Sequence, residues 1–245
     1  MPEQPIEIRT PDGTADGVLI RPESGNPAPG VLVLTDIGGL RDVNKQLSQR
    51  LANAGYVVLM PNVFYRTGRP PLWSFRPNFG DERTAKRFAE LASPLTPDAV
   101  ERDGKAYLDF LAAQPGVKAG PFGIVGYCFT GGIALRIAAA QPESLAAAAS
   151  FHGGGLCTDA PTSPHLVLPR VRARLYFGHA VQDRSMTQQA IDKLAGALAA
   201  WGGKYENEVY EGALHGWTMA DAPVWNEAQA ERAFGKLTEL LQQTL

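Results

Sequence analysis

A cysteine among small residues, then an aspartate, then a histidine follow one another along the second half of this chain. Together they could carry out acyl transfer. Cys128 sits in Gly126-Tyr127-Cys128-Phe129-Thr130-Gly131-Gly132. The apolar Phe122-Gly123-Ile124-Val125 before it reads as a strand, and Ile133 to Ala140 after it reads as a helix. A nucleophile at a sharp strand-to-helix turn with small neighbours is the pattern of a nucleophile elbow, here with Cys where Ser is commoner. Bulk beside the tip of such a turn would clash with the adjoining strand and helix. The helix N-terminus aims free N–H groups at the sulfur and favours thiolate. Two other glycine-rich devices each fail on one residue. A phosphate loop needs Lys and Ser/Thr after its second glycine, where this chain has Gly132 and Ile133. A dinucleotide fingerprint needs glycine where Cys128 stands. Taken alone, the motif also suits a buried structural thiol.

A cysteine nucleophile needs a base, and the base needs an orienting carboxylate. Asp183 follows the apolar Leu175-Tyr176-Phe177, and His215 follows the strand signal Tyr205–Tyr210. The order nucleophile, acid, histidine is that of α/β-hydrolases. His152 and His179 also follow strand signals and compete as bases. Asp159 and Asp221 compete as acids, but Asp159 lies in a Pro/Thr/Ser-rich loop and Asp221 follows the histidine.

These residues need a frame that brings loop ends together. Ile6–Thr10 and Gly17–Arg21 read as a hairpin around Pro11-Asp12-Gly13. Gly30–Thr35 and Tyr56–Met60 are continuous apolar strands of the kind covered on both faces. Leu145–Phe151 and Ala173–Phe177 read as further strands. Helix signals run over Asn44–Ala54, Asp98–Ala113, Thr187–Trp201 and Ala222–Gln243. The stretch Asn62 to Pro97, rich in Pro, Gly, Arg and aromatics, reads as irregular. The alternation predicts an α/β fold, a mostly parallel sheet of about eight strands with helices on both faces. Residues 1–245 are expected to form a single domain with a lid-like insertion at about 62–97. Active residues in such sheets lie at the C-terminal strand ends.

Composition narrows the function. The net charge of −2 gives no electrostatic case for nucleic acid. No basic-then-apolar start suggests a signal peptide, and no apolar run would span a bilayer, so a cytoplasmic protein is expected. The two cysteines, Cys128 and Cys157, then argue against a disulfide framework. The absence of Cys-x-x-Cys, His-Glu-x-x-His or clustered histidines leaves a metal without support. No cofactor is expected. The chain is expected as a monomer or homodimer.

With these motifs in view, the chain resembles the dienelactone hydrolases, carboxymethylenebutenolidase-like α/β-hydrolases, over nearly its whole length. The carriers are Gly-Tyr-Cys-Phe at 126–129 with Gly131-Gly132, Gly178-His179 leading to Asp183, and His215-Gly216-Trp217. The resemblance implies a Cys128–His215–Asp183 triad that hydrolyses a lactone or ester through an acyl-enzyme thioester. The family carries a glutamate that gates the resting thiol where this chain has Asp36, one methylene shorter; a turn or cap carboxylate is the other reading. Elbow geometry assigns the oxyanion hole to the Ile37 and Phe129 N–H groups. The family binds a substrate carboxylate through arginines, and Arg83 looks like one of them. A second arginine expected just after the histidine is replaced by Trp217-Thr218-Met219. The substrate contacts expected are Arg83, Trp217 and Tyr127, around a small-molecule ester or lactone with an anionic group. Arg66, Arg69 and Arg76 also lie in the 62–97 stretch, where arginines equally suit a solvated lid surface. Trp73, Phe75 and Phe79 suit an apolar acyl pocket or the packing of the lid. Two other classes stay open on sequence: a non-catalytic ligand-binding hydrolase fold, and a thiol acyltransferase or redox-responsive protein with Cys157 as partner thiol.

Overall fold

The computed structural model describes residues 3–245. Met1 and Pro2, part of the start read as lacking a signal peptide, lie outside the described residues. The chain opens with β1 (Gln4–Thr10) and β2 (Gly13–Ile20), an antiparallel hairpin. Pro11 presets the turn between them. β2 begins earlier than its apolar residues suggest, because Thr14, Ala15 and Asp16 continue the backbone ladder against Arg9, Ile8 and Glu7. Then follow β3 (Gly30–Leu34), α1 (Asp42–Asn53), β4 (Val57–Pro61), α2 (Glu82–Ala92) and α3 (Pro97–Ala112). The second half is β5 (Phe122–Tyr127), α4 (Thr130–Ala140), β6 (Leu145–Phe151), a 3₁₀ segment Pro164–Arg170, β7 (Arg174–Ala180), α5 (Gln188–Trp201), β8 (Tyr205–Tyr210) and α6 (Glu227–Gln242). Among these residues no helix is long and apolar enough to cross a membrane.

The eight strands form one sheet in the order β1-β2-β4-β3-β5-β6-β7-β8. Every pairing from β4 through β8 is parallel, and β2 joins β4 antiparallel. The central strands are buried along their whole length and alternate their side chains between two cores. Leu32, Leu34, Leu59 and Ile124 face α3, α4 and α5, packing with Leu108, Leu111, Ile137 and Leu194. Val31, Val33, Val58 and Val125 face α1 and α6, with Leu51, Leu237 and Leu241. β4 lies on one side of β3 and β5 on the other. The loops leaving β3 and β5 therefore diverge, which opens a crevice at the C-terminal ends of those two strands.

Three local expectations change. The 62–97 stretch is not wholly irregular, since α2 lies inside it, with Asp81 accepting from the Thr84 N–H at 2.7 Å as N-cap. β7 runs on through Gly178 and His179, because both continue the parallel ladder with Glu208 and Val209. α6 starts at Glu227 rather than Ala222: Asn226 caps it by accepting from Gln229 N–H, and Pro223 sits in the turns before it.

Candidate active site

The elbow follows from close approach. Cys128 has φ 57°, a left-handed conformation that costs a non-glycine residue on the order of 1–3 kcal/mol. Its surroundings hold it there. Cys128 N–H donates to Phe151 O, and Cys128 O accepts from the N–H groups of Gly131 and Gly154 at 3.1 and 3.2 Å. Thr130 Oγ1 accepts from Tyr127 N–H at 2.9 Å and lies 3.1 Å from Leu34 O, tying the elbow to β3. A Cβ on Gly126 would fall 2.3 Å from Thr130 O, and one on Gly131 2.2 Å from Ser150 Oγ. At Gly126 the clash is with backbone and excludes a side chain; at Gly131 the Ser150 hydroxyl would have to move.

The loops after β7 and β8 bring Asp183 and His215 to the sulfur. His215 Nδ1–H donates to Asp183 Oδ2 at 2.6 Å, and Nε2 faces Cys128 Sγ at 3.1 Å. Burial by itself would lower the imidazole, but the hydrogen bonds to Asp183 and Cys128 outweigh it and raise the ring to about 10. Burial likewise disfavours ionised Asp183, yet its bonds to His215 and Ser185 bring it down to about 2. Ser185 escaped the sequence reading. Its N–H and Oγ both donate to Asp183 Oδ1, at 2.8 and 2.6 Å, leaving Oδ2 for the histidine. The short Asp-x-Ser turn is the signal that would have found it.

The competing residues are occupied elsewhere. His152 is buried beside the site, with its ring centre 5.3 Å from that of His215. Its Nε2 bonds Thr218 Oγ1 at 2.7 Å, and burial holds it well below the usual histidine range. His179 is buried in β7 and meets Asn207 Oδ1. Asp159 pairs with Lys193 on the surface, and Asp221 pairs with Arg41 at 2.6 Å. Cys157 is a buried free thiol that meets the core on the α3–α5 side.

Asp36 lines the crevice, but its oxygens go to Arg41 and to the Gly38 N–H rather than to Cys128. Arg41 reaches Asp36 and Asp221 together and so bridges the loop after β3 to the loop after His215. The Ile37 and Phe129 N–H groups meet no acceptor among the described residues, and both residues line the cavity with Cys128. Two bonds orient the Ile37 segment: Gly39 N–H to Asp36 O, and Trp73 Nε1–H to Ile37 O at 2.9 Å.

The cavity measures about 1690 Å³. The three expected substrate contacts lie outside its lining. Tyr127 shares the α1/α6 face of β5 with Val125, and its ring stacks on Phe151. Trp217 is buried behind the histidine loop, stacked on Tyr210 and edge-on to His152. Arg83 is exposed and lies over the Phe75 ring at 3.8 Å. Arg76 and Arg184 line the cavity instead, with no ion-pair partner among the described residues. Arg66 and Arg69 are engaged by Asp12, Asp103 and Glu7. Trp73 and Phe79 line the cavity, and Phe75 packs edge-on against Trp73.

Comparison with known proteins gives the same frame. A Salmonella typhi protein provisionally named a carboxymethylenebutenolidase is 27% identical, covering 99% of this chain and 93% of its own length. The carboxymethylenebutenolidase of Rhodococcus opacus is 27% identical over 76% of this chain and 68% of its own. The crystal structure of a provisionally named dienelactone hydrolase from Klebsiella pneumoniae subsp. pneumoniae MGH 78578 superposes with a TM-score of 0.87 at 23% identity, covering 99% of this chain and 98% of that one. The model of the dienelactone hydrolase family matches residues 15–245, and the chain belongs to that family.

Proposed function

We propose that this protein hydrolyses carboxylic esters or lactones by covalent catalysis at Cys128, with His215 as the base and acid and Asp183 as its orienting carboxylate. Family membership supports an ester or lactone hydrolase. The observation that carries the mechanism is the placing of one imidazole 2.6 Å from a carboxylate and 3.1 Å from a sulfur. The Cys128 thiolate attacks the carbonyl carbon; a C–S bond forms and the carbonyl π pair moves onto oxygen. The Ile37 and Phe129 N–H groups receive that oxyanion. Its collapse breaks the C–O bond, and the Nε2 proton of His215 passes to the leaving oxygen. Water then attacks the thioester, gives its proton to His215, and the C–S bond breaks to return thiolate and release the acid. Ser185 and Asp183 fix the imidazole tautomer throughout. Residues 1–245 act as one unit, with the 62–97 segment as the lid. An anionic substituent would meet an arginine of the cavity lining, which holds Arg76, Arg136 and Arg184 and not Arg83.

Cys128→Ala is expected to abolish turnover of p-nitrophenyl acetate while leaving the circular-dichroism melt in place. Full residual activity in a folded Cys128→Ala protein would overturn the proposal.

A further inference from the structure

The cavity exceeds the roughly 300–1,000 Å³ of an ordinary small-ligand pocket. Its lining divides around Cys128. One lobe lies between the loops after β3 and β8 and carries Asp36, Arg41 and Asp221. The other runs from Phe129 along one face of α4, through Gly132 and Ile133 to Arg136. Val100 of α3 and Phe88 of α2 line the cavity on this side as well, and Phe88 meets Phe129 edge-on at 5.5 Å between ring centres. From Phe129 to Arg136 is seven residues of helix, about 10 Å.

Arg136 ends that lobe with donors to spare. Its side chain is only 11% exposed. One N–H donates to Thr162 O. Its nearest carboxylate, Glu101, stands 4.0 Å away and is closer, at 3.2 Å, to Arg170. A guanidinium has five N–H donors; Thr162 O is the one hydrogen-bond acceptor this guanidinium meets among the described residues, and Arg136 lines the cavity. Burial also pulls Arg136 below the usual arginine range, as expected of a cation without a close counter-charge.

The direction of a bound ester follows from the proton. The leaving oxygen must lie at His215 Nε2 to receive it, so the alcohol part sits toward the loop after β8. The acyl part then extends away from His215, along α4.

We propose that the α4 lobe is an acyl-chain site, which takes an apolar acyl chain of medium length carrying an acceptor group, best a carboxylate, at its far end, where Arg136 receives it. This rests on the ester-hydrolase reading. An extended chain of about 10 Å corresponds to on the order of eight bonds.

The test is a set of p-nitrophenyl esters, namely acetate, octanoate and the mono-ester of octanedioic acid, measured as kcat/KM. Octanoate should exceed acetate by on the order of tenfold or more, through burial of methylenes. The octanedioate mono-ester should exceed octanoate, and Arg136→Met should erase that second advantage, about tenfold. Ile133→Trp should collapse the octanoate-to-acetate ratio by filling the lobe. Val100→Phe, from the opposite wall, tests the same point if Ile133→Trp fails to fold. Acetate turnover with a flat chain-length profile, or a ratio untouched by both filling variants, overturns the acyl site and leaves the hydrolase reading standing. If no ester is turned over, the hydrolase reading falls. The lobe is then read by whether octanedioate protects Cys128 from iodoacetamide better than acetate does; equal protection overturns it.

Discussion

His215 lies between two groups that both gain from its positive charge, and this gives the site a pH signature. The imidazole is raised from 6.5 to about 10 in the folded protein, so the stability it contributes is fully present below pH 6.5 and fades as pH climbs through 10. Asp183 is lowered from 3.8 to about 2, so its contribution is present above pH 3.8 and fades as pH falls through 2. Urea unfolding of the parent and of His215→Gln should therefore differ most between pH 4 and 6.5, and the difference should shrink toward pH 10. Asp183→Asn should keep the fold but favour the wrong imidazole tautomer, lowering kcat by on the order of 10³–10⁴. Steady-state kinetics beside a thermal melt separates that loss from unfolding. Asp36 shows the limit of reasoning one residue at a time. The carboxylate stands in the expected loop, yet Arg41 takes both its oxygens, so it is not directed at the thiol.

At the scale of elements, the elbow depends on a glycine, Gly126, whose neighbours admit no Cβ. Gly126→Ala would place a methyl 2.3 Å from the Thr130 carbonyl, a backbone atom that cannot move without shifting α4. It is expected to lower the thermal midpoint and to displace Cys128, read as loss of rapid iodoacetamide labelling in whatever protein still folds. The elbow and its flanking elements were legible because strand, turn and helix are local patterns in one short window. α2 was not legible: the surrounding Pro and Gly read as irregular, and the Asp81 cap that accepts from Thr84 N–H shows only in the structure. Tyr127 shows side-chain direction acting at this scale. Adjacency to the nucleophile suggests contact with substrate, but strand alternation turns its ring to the α1/α6 face.

For the whole molecule, the sheet order decides where chemistry happens. β3 stands between β4 and β5, so the loop after β3 and the elbow after β5 flank the same crevice. The two cores on either side hold that arrangement rigid. Leu32→Ala, on the fully buried strand at the switch point, is expected to cost about 2–5 kcal/mol in a denaturant titration. Charges far apart in sequence close over the site: Arg41 and Asp221 are 180 positions apart and nonetheless pair. The sequence by itself determined the alternating α/β frame, the elbow and the order of cysteine, aspartate and histidine, because each rests on short-range pattern or on strand ends. Only the tertiary structure decided which arginines face the cavity, that Trp217 is buried behind the histidine, and that Asp36 is held by Arg41. Those outcomes depend on side-chain direction and on contacts between distant loops, which no local spacing encodes.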